Sequence, residues 1–138
     1  MNKNANEDVQ DVIVELLKKQ FGVKLNKINF KRMGKNRIYA FKPCDLDIQE
    51  KHSGIYFGTI EKDGFRLSIE VSYIVGREAK KGVIEVKKDE ALRWMKGEDI
   101  EGDVKGYVIL KWGNYYLGCG KGNGKVIRNF IPKSRRIK

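Results

Sequence analysis

Between residues 6 and 21 apolar side chains recur at three- and four-residue spacing: Val9, Val12, Ile13, Leu16, Leu17 and Phe21. That period predicts an amphipathic helix with one buried stripe. Asn4 or Asn6 can cap its first amides, and Glu7 and Asp8 suit the positive end of the helix dipole. Lys18 and Lys19 suit the other end, and Gly22 fits the left-handed position that follows. After it the pattern turns to short strands. "RIYAFK" (37–42) is rich in aromatic and β-branched residues. "GIYFGTI" (54–60) and "FRLSI" (65–69) flank an Asp63-Gly64 turn, a good hairpin signal. "GVIEV" (82–86) is a further strand. "GYVILKW" (106–112) and "YYLGCG" (115–120) flank Gly113-Asn114, and "KVIRNFI" (125–131) closes the series before Pro132. A second helix fits Asp89–Lys96, with Asp89 as N-cap, Leu92 and Met95 inward, and Gly97 as the stop.

One stretch reads two ways. In "RLSIEVSYIVG", Leu67, Ile69, Val71 and Tyr73 alternate as in a strand, while Ser68 can also begin a short helix. The pattern alone favours the strand. Many short strands, glycine turns and few helices predict an α+β fold: a small mixed β barrel with the first helix packed on it.

Composition sharpens this picture. The chain has 138 residues, the size of one domain, and 41% hydrophobic content is enough for a core without staples. Its net charge is +11, which attracts polyanions. That charge is segregated. Residues 24–42 hold seven basic residues and no acidic one, and residues 120–138 do the same. The remainder is slightly acidic, with 15 basic against 18 acidic residues. Two acid-free segments, remote in sequence, therefore predict a basic surface that holds nucleic acid.

Other chemistries fit poorly. Cys44 and Cys119 stand 75 positions apart and His52 is the sole histidine, so no metal site is expected. The glycine-rich run "GCGKGNGK" fails as a phosphate loop. Cys119 stands where the first Walker glycine belongs, and Val126 stands where the hydroxyl belongs. Pro43-Cys44 resembles the nucleophile dipeptide of RNA cytosine-5 methyltransferases, but Asp45-Leu46 follow and no cofactor-binding glycine motif accompanies it. His52-Ser53 lack a third orienting group. No catalytic constellation emerges, and neither enzyme activity nor a cofactor is expected. Tyr115 or Tyr116 could stack on a base, whereas Trp112, Phe57 and Phe65 read as core. No apolar run spans a membrane and no signal peptide opens the chain, so a cytoplasmic location is expected.

The C-terminal half resembles a known family. "ALRWMKGEDI" (91–100) and "GYVILKWGNYYLGCGKGNGKVIRNFIPKSRR" (106–136) are similar to the RNA-binding PUA-like domain at the end of RsmF-type RNA cytosine-5 methyltransferases of the Nol/Nop/Sun family. The matching positions are Lys96, Gly97 and Glu98; Leu117, Gly118, Gly120 and Lys121; and Arg128, Asn129, Pro132, Lys133 and Arg136. Upstream, "GIYFGTIEKDGFRLSIEVSYIV" resembles the family's strand pair and following short helix, which moves the ambiguous stretch to helix. Cys119 replaces a tryptophan, Tyr116 a proline, Ser134 a glycine and Arg135 a leucine of the family pattern. The resemblance implies a PUA-like pseudobarrel over residues 37–138, with residues 1–36 as a helix and basic connector packed on it. It also implies binding of structured RNA, tRNA or rRNA, as in RNA modification and rRNA processing. Methyl transfer does not carry over. An accessory subunit that serves a methyltransferase in trans is the alternative.

Charge places the expected RNA contacts at Lys121, Lys125, Arg128, Lys133, Arg135 and Arg136, extended by Lys31, Arg32, Lys35 and Arg37. Asn129 is a candidate for a base edge or for a structural hydrogen bond.

Overall fold

The computed structural model describes residues 5–25, 28–41 and 54–137. Helix α1 (Ala5–Phe21) is followed by β1 (Asn29–Met33), β2 (Arg37–Phe41), β3 (Ile55–Glu61), β4 (Gly64–Leu67) and α2 (Ile69–Glu78). Then come β5 (Val83–Glu85), α3 (Lys88–Met95), β6 (Ile100–Glu101), β7 (Lys105–Trp112), β8 (Tyr115–Asn123) and β9 (Val126–Asn129). A 3-10 turn at Lys133–Arg135 follows. Cys44, His52 and Ser53, and the capping side chains expected at Asn4, Asn6, Glu7 and Asp8, lie outside the described residues.

Two sheets form, one ordered β1-β2-β3-β4 and antiparallel throughout, the other ordered β5-β7-β8-β9-β6 with a parallel β5–β7 pair. The architecture is the expected α+β pseudobarrel. Residues 107–110 of β7 are all buried, because both faces of the second sheet are covered. Tyr107 and Ile109 join the core made by α1, the first sheet and Val71 and Val75 of α2. Val108 and Leu110 join a second core with Trp94 of α3, Ile100 and Ile127.

Helix α1 buries Val9, Ile13, Leu17 and Phe21, the stripe its spacing predicts, while Val12 stays exposed. Two of its polar residues close the first sheet. Gln10 accepts from the Phe30 amide at 2.7 Å and donates to the Ile28 carbonyl at 2.9 Å, along β1. Gln20 accepts from the Phe65 amide at 2.9 Å and donates to its carbonyl at 3.0 Å, on β4. Each glutamine stands in for a missing strand at a sheet edge, where unpaired backbone groups are costly. The β1–β2 hairpin turns at residues 34–36.

The stretch after Leu67 is helical, as the resemblance implied and the alternation did not. Ser68 caps α2 by accepting from the Val71 amide, and Val71 and Val75 are buried one turn apart. Tyr73, which an alternating strand would bury with Val71, is exposed. Two further corrections concern α3. Its N-cap is Lys87, not Asp89, and Glu90 accepts from the Lys87 amide at 2.8 Å. Leu92 is exposed, and Ala91 and Trp94 fill the core instead. Gly97, with φ of +99°, does end the helix.

Candidate nucleic-acid interface

The glycine-rich run is a strand, and its smallness is a packing requirement. Trp94 lies across β8 and donates its indole N–H to the Leu117 carbonyl at 3.1 Å. A Cβ at Gly120 would stand 2.6 Å from the Trp94 ring. The β8–β9 turn is tied by Asn123, whose side-chain oxygen accepts from the amides of Lys125 and Val126 at 2.9 Å each. Lys125 is exposed beside this turn.

The outer face of the first sheet carries cations and aromatics together. Directly paired residues share a face. Lys31 pairs with Tyr39 and Tyr39 with Tyr56, while Arg37 pairs with Thr59 and Thr59 with Arg66. The Arg37 guanidinium lies 6.0 Å from the Tyr56 ring centre. The Tyr56 hydroxyl is 2.6 Å from Thr59 Oγ1, which fixes the ring. At the seam with the second sheet, the Arg66 guanidinium lies 4.6 Å from the Phe130 ring centre, and that of Arg128 lies 5.8 Å from the same ring. Tyr56, Arg66, Phe130 and Arg135 line one cleft of about 190 Å³. Tyr56 thus has Arg37 of one acid-free segment against its ring and shares the cleft lining with Arg135 of the other.

Not every expected contact joins this face. Arg32 pairs with Ile38, whose side chain is buried, so Arg32 points to the opposite side of the hairpin from Lys31. Lys35 lies in the exposed β1–β2 turn, beside Arg37 and Tyr39. Lys121 is paired with Asp63, which also accepts from the Tyr107 hydroxyl at 2.9 Å. These two donors hold the Asp63 carboxyl below its usual range. Burial, and then the adjacent carboxylate, hold the Tyr107 phenol well above its own. Arg135 pairs with Glu70 at 2.8 Å. A backbone hydrogen bond and this arginine together depress the Glu70 carboxyl. Arg66 lies 3.6 Å from Glu61. Lys133 is exposed on the 3-10 turn. Arg136 is half-buried and donates to the Ile131 carbonyl at 3.0 Å, so its stem belongs to the C-terminal packing.

Asn129 is wholly engaged in structure. Its amide nitrogen donates to the carbonyls of Trp94 at 2.7 Å and Glu98 at 2.9 Å, and its oxygen accepts from the Ile131 amide at 2.7 Å. Both amide hydrogens are used in clamping the end of α3 to β9, which leaves none for a base edge. Of the expected stacking pair, Tyr116 is half-buried against Tyr73 at 5.6 Å, and Tyr115 is exposed beside Trp112 at 5.7 Å. Tyr39, Tyr56, Arg66 and Phe130 were absent from the sequence-based set. The one signal for Tyr56 and Arg66 was their place in the strands flanking the Asp63-Gly64 turn, and Tyr39 and Phe130 lie outside that pair. Cys119 lies at the cleft floor, and burial pushes its thiol up to about 12, so it is no nucleophile at neutral pH.

Comparison with known proteins places this geometry in context. The model of the family described as "Methyltransferase RsmF PUA domain" matches residues 81–137, from just before β5 to the C-terminal turn. The ribosomal RNA small subunit methyltransferase F of Vibrio cholerae (strain M66-2) is 24% identical over 136 residues, covering 94% of this chain and 29% of that protein. Its namesake from Vibrio vulnificus (strain YJ016) is 26% identical over 96 residues, covering 68% and 20%. That of Aeromonas salmonicida (strain A449) is 30% identical over 83 residues, covering 58% and 17%. The chain spans less than a third of the length of these relatives. Residues 81–137 thus resemble the RsmF PUA domain, as the reading of the C-terminal half implied.

Proposed function

We propose that this chain is an RNA-binding module that holds structured RNA, rRNA or tRNA, on the basic face around Tyr56, without catalysis of its own. The observation that carries the reading is that Tyr56 has Arg37 against its ring and lines one cleft with Arg135, almost a hundred residues from Arg37 in sequence. The similarity to rRNA methyltransferases supports rRNA over other polyanions. Phosphates would be met by Lys31, Lys35 and Arg37 at one end and by Lys125, Arg128, Lys133 and Arg135 at the other. Such contacts position an RNA without reading its sequence. Lys121 and Arg136 contribute less, since Asp63 and the Ile131 carbonyl hold them.

Affinity for an rRNA fragment should fall steeply with salt. With about four phosphate contacts at a slope of about −0.7 (single strand) to −0.9 (duplex) each, doubling the salt should weaken binding about seven- to twelvefold. The double variant Arg128→Glu, Lys133→Glu should bind poorly with unchanged circular dichroism. Salt-independent binding, or an unfolded double variant, would contradict the reading. Heat on titration with S-adenosylmethionine would contradict the absence of catalysis.

A second reading is an accessory subunit that supplies RNA contacts in trans to an RNA cytosine-5 methyltransferase. It is favoured by exposed Tyr73, Ile74 and Tyr115, an apolar surface on α2 and at the β7–β8 turn. Co-purification that survives ribonuclease treatment would support it.

A further inference from the structure

We propose that the cleft beside Tyr56 receives a single unpaired base of the bound RNA, an inference that rests on the RNA-binding reading above. The cleft lies at the seam of the two sheets and is lined by Tyr56, Arg66, Leu67, Glu70, Phe130 and Arg135. At about 190 Å³ it is too small for a drug-sized ligand and suited to one planar group. It offers two planar surfaces. One is the Tyr56 ring, 38% exposed and held by its hydroxyl contact to Thr59. The other is the Arg66 guanidinium, layered over Phe130 at 4.6 Å. Bases splayed out of loops and bulges stack on such aromatic rings and guanidinium planes.

The surroundings suit the rest of the nucleotide. Arg37 lies against Tyr56, Arg128 against Phe130, and Arg135 stands at the rim, where a phosphate flanking the inserted base would lie. Both lining arginines have a carboxylate partner, Arg135 in Glu70 and Arg66 in Glu61 at 3.6 Å, so positive charge at the rim comes from Arg37 and Arg128. Fixing Tyr56 in advance lowers the ordering cost of the stack. A base paired within a helix is stacked on both faces and cannot enter. The substrate class is therefore duplex RNA interrupted by an unpaired nucleotide, and the duplex lies along the cationic face.

The test compares two RNA hairpins, one fully paired and one with a single bulged 2-aminopurine, on the wild type and on Tyr56→Ala and Tyr56→Phe. The wild type should prefer the bulged hairpin by about 5- to 150-fold, the range that one base–aromatic stack supplies. The probe emission should be quenched on binding. Tyr56→Ala should lose both the preference and the quenching, weakening the bulged hairpin far more than the paired one. Tyr56→Phe should retain the preference. Equal binding of both hairpins by the wild type, with no change in emission, overturns the base cleft and leaves RNA binding intact. Equal weakening of both hairpins by Tyr56→Ala overturns it as well. Failure of the wild type to bind either hairpin removes the underlying reading.

Discussion

Removing the side chain of Asn129 separates the two roles that its position allows. Asn129→Ala deletes the hydrogen bonds to the Trp94 and Glu98 carbonyls and from the Ile131 amide. Those to Trp94 and Ile131 are partly buried, and the one to Glu98 is exposed. A hydrogen bond of this kind contributes about 0.5–1.5 kcal/mol net, with more at stake where a buried partner is left unpaired. The expected loss is about 2–3 kcal/mol. At roughly 4 °C per kcal/mol for a domain of this size, the melting temperature should fall by about 10 °C. Asn129→Asp should fare no better than alanine, because it turns an acceptor toward two carbonyls. Urea denaturation gives the free energy, and RNA affinity is measured well below both midpoints. There Asn129→Ala should bind within about twofold of wild type, because its donors never reach the RNA. A variant as stable as wild type, within ~0.5 kcal/mol, that binds RNA tenfold more weakly would refute this reasoning and make Asn129 a base reader.

Two further outcomes follow from the pairing of charges and from burial. Glu70→Gln frees Arg135 and removes a carboxylate from the cleft. RNA affinity at low salt should rise by up to about fivefold, while stability stays within about 1 kcal/mol because the pair is largely exposed. Unchanged or weaker binding would mean that Arg135 does not face the RNA. Burial pushes the folded Cys119 thiol up to about 12, whereas the unfolded thiol ionises near its ordinary value of 9.0. Its stability contribution is therefore full below pH 9 and is lost as pH rises toward 12. Urea midpoints should fall more between pH 8 and pH 11 for wild type than for Cys119→Ala, and equal falls would show a solvated thiol.

Much of this fold is legible in the sequence where one local rule acts alone. The α1 stripe, the turns at Asp63-Gly64 and Gly113-Asn114, and the stop at Gly97 each follow from spacing or from backbone freedom. Strand β1 is not legible, because "NFKRM" buries only Phe30 and depends on Gln10 of α1 to complete one edge. Helix α2 hides behind a false alternation. Leu67 belongs to β4, and Val71 and Val75 then face inward at helical spacing.

The candidate site was half visible for a related reason. Counting charge along the chain finds segments and does not see faces, so Arg32 was grouped with Lys31 although the pleat sends them apart. The same count passes over Arg66, which sits near Glu61 and Asp63 in a stretch of mixed charge. Only the closing of the two sheets brings Arg66 to Phe130. Asn129 was matched by the family motif, and its place between α3 and β9 gives that position a mechanical reason.

The central claim is that cations from both ends of the sequence act on one RNA. The direct test is the salt dependence of RNA affinity for wild type, Arg37→Gln, Lys133→Gln and the double variant. Each single change should lower the slope of log affinity against log salt by about 0.7–0.9, and the double change by about the sum. A slope that responds to only one of the two substitutions would mean that the RNA touches one segment alone, and the shared surface would be contradicted.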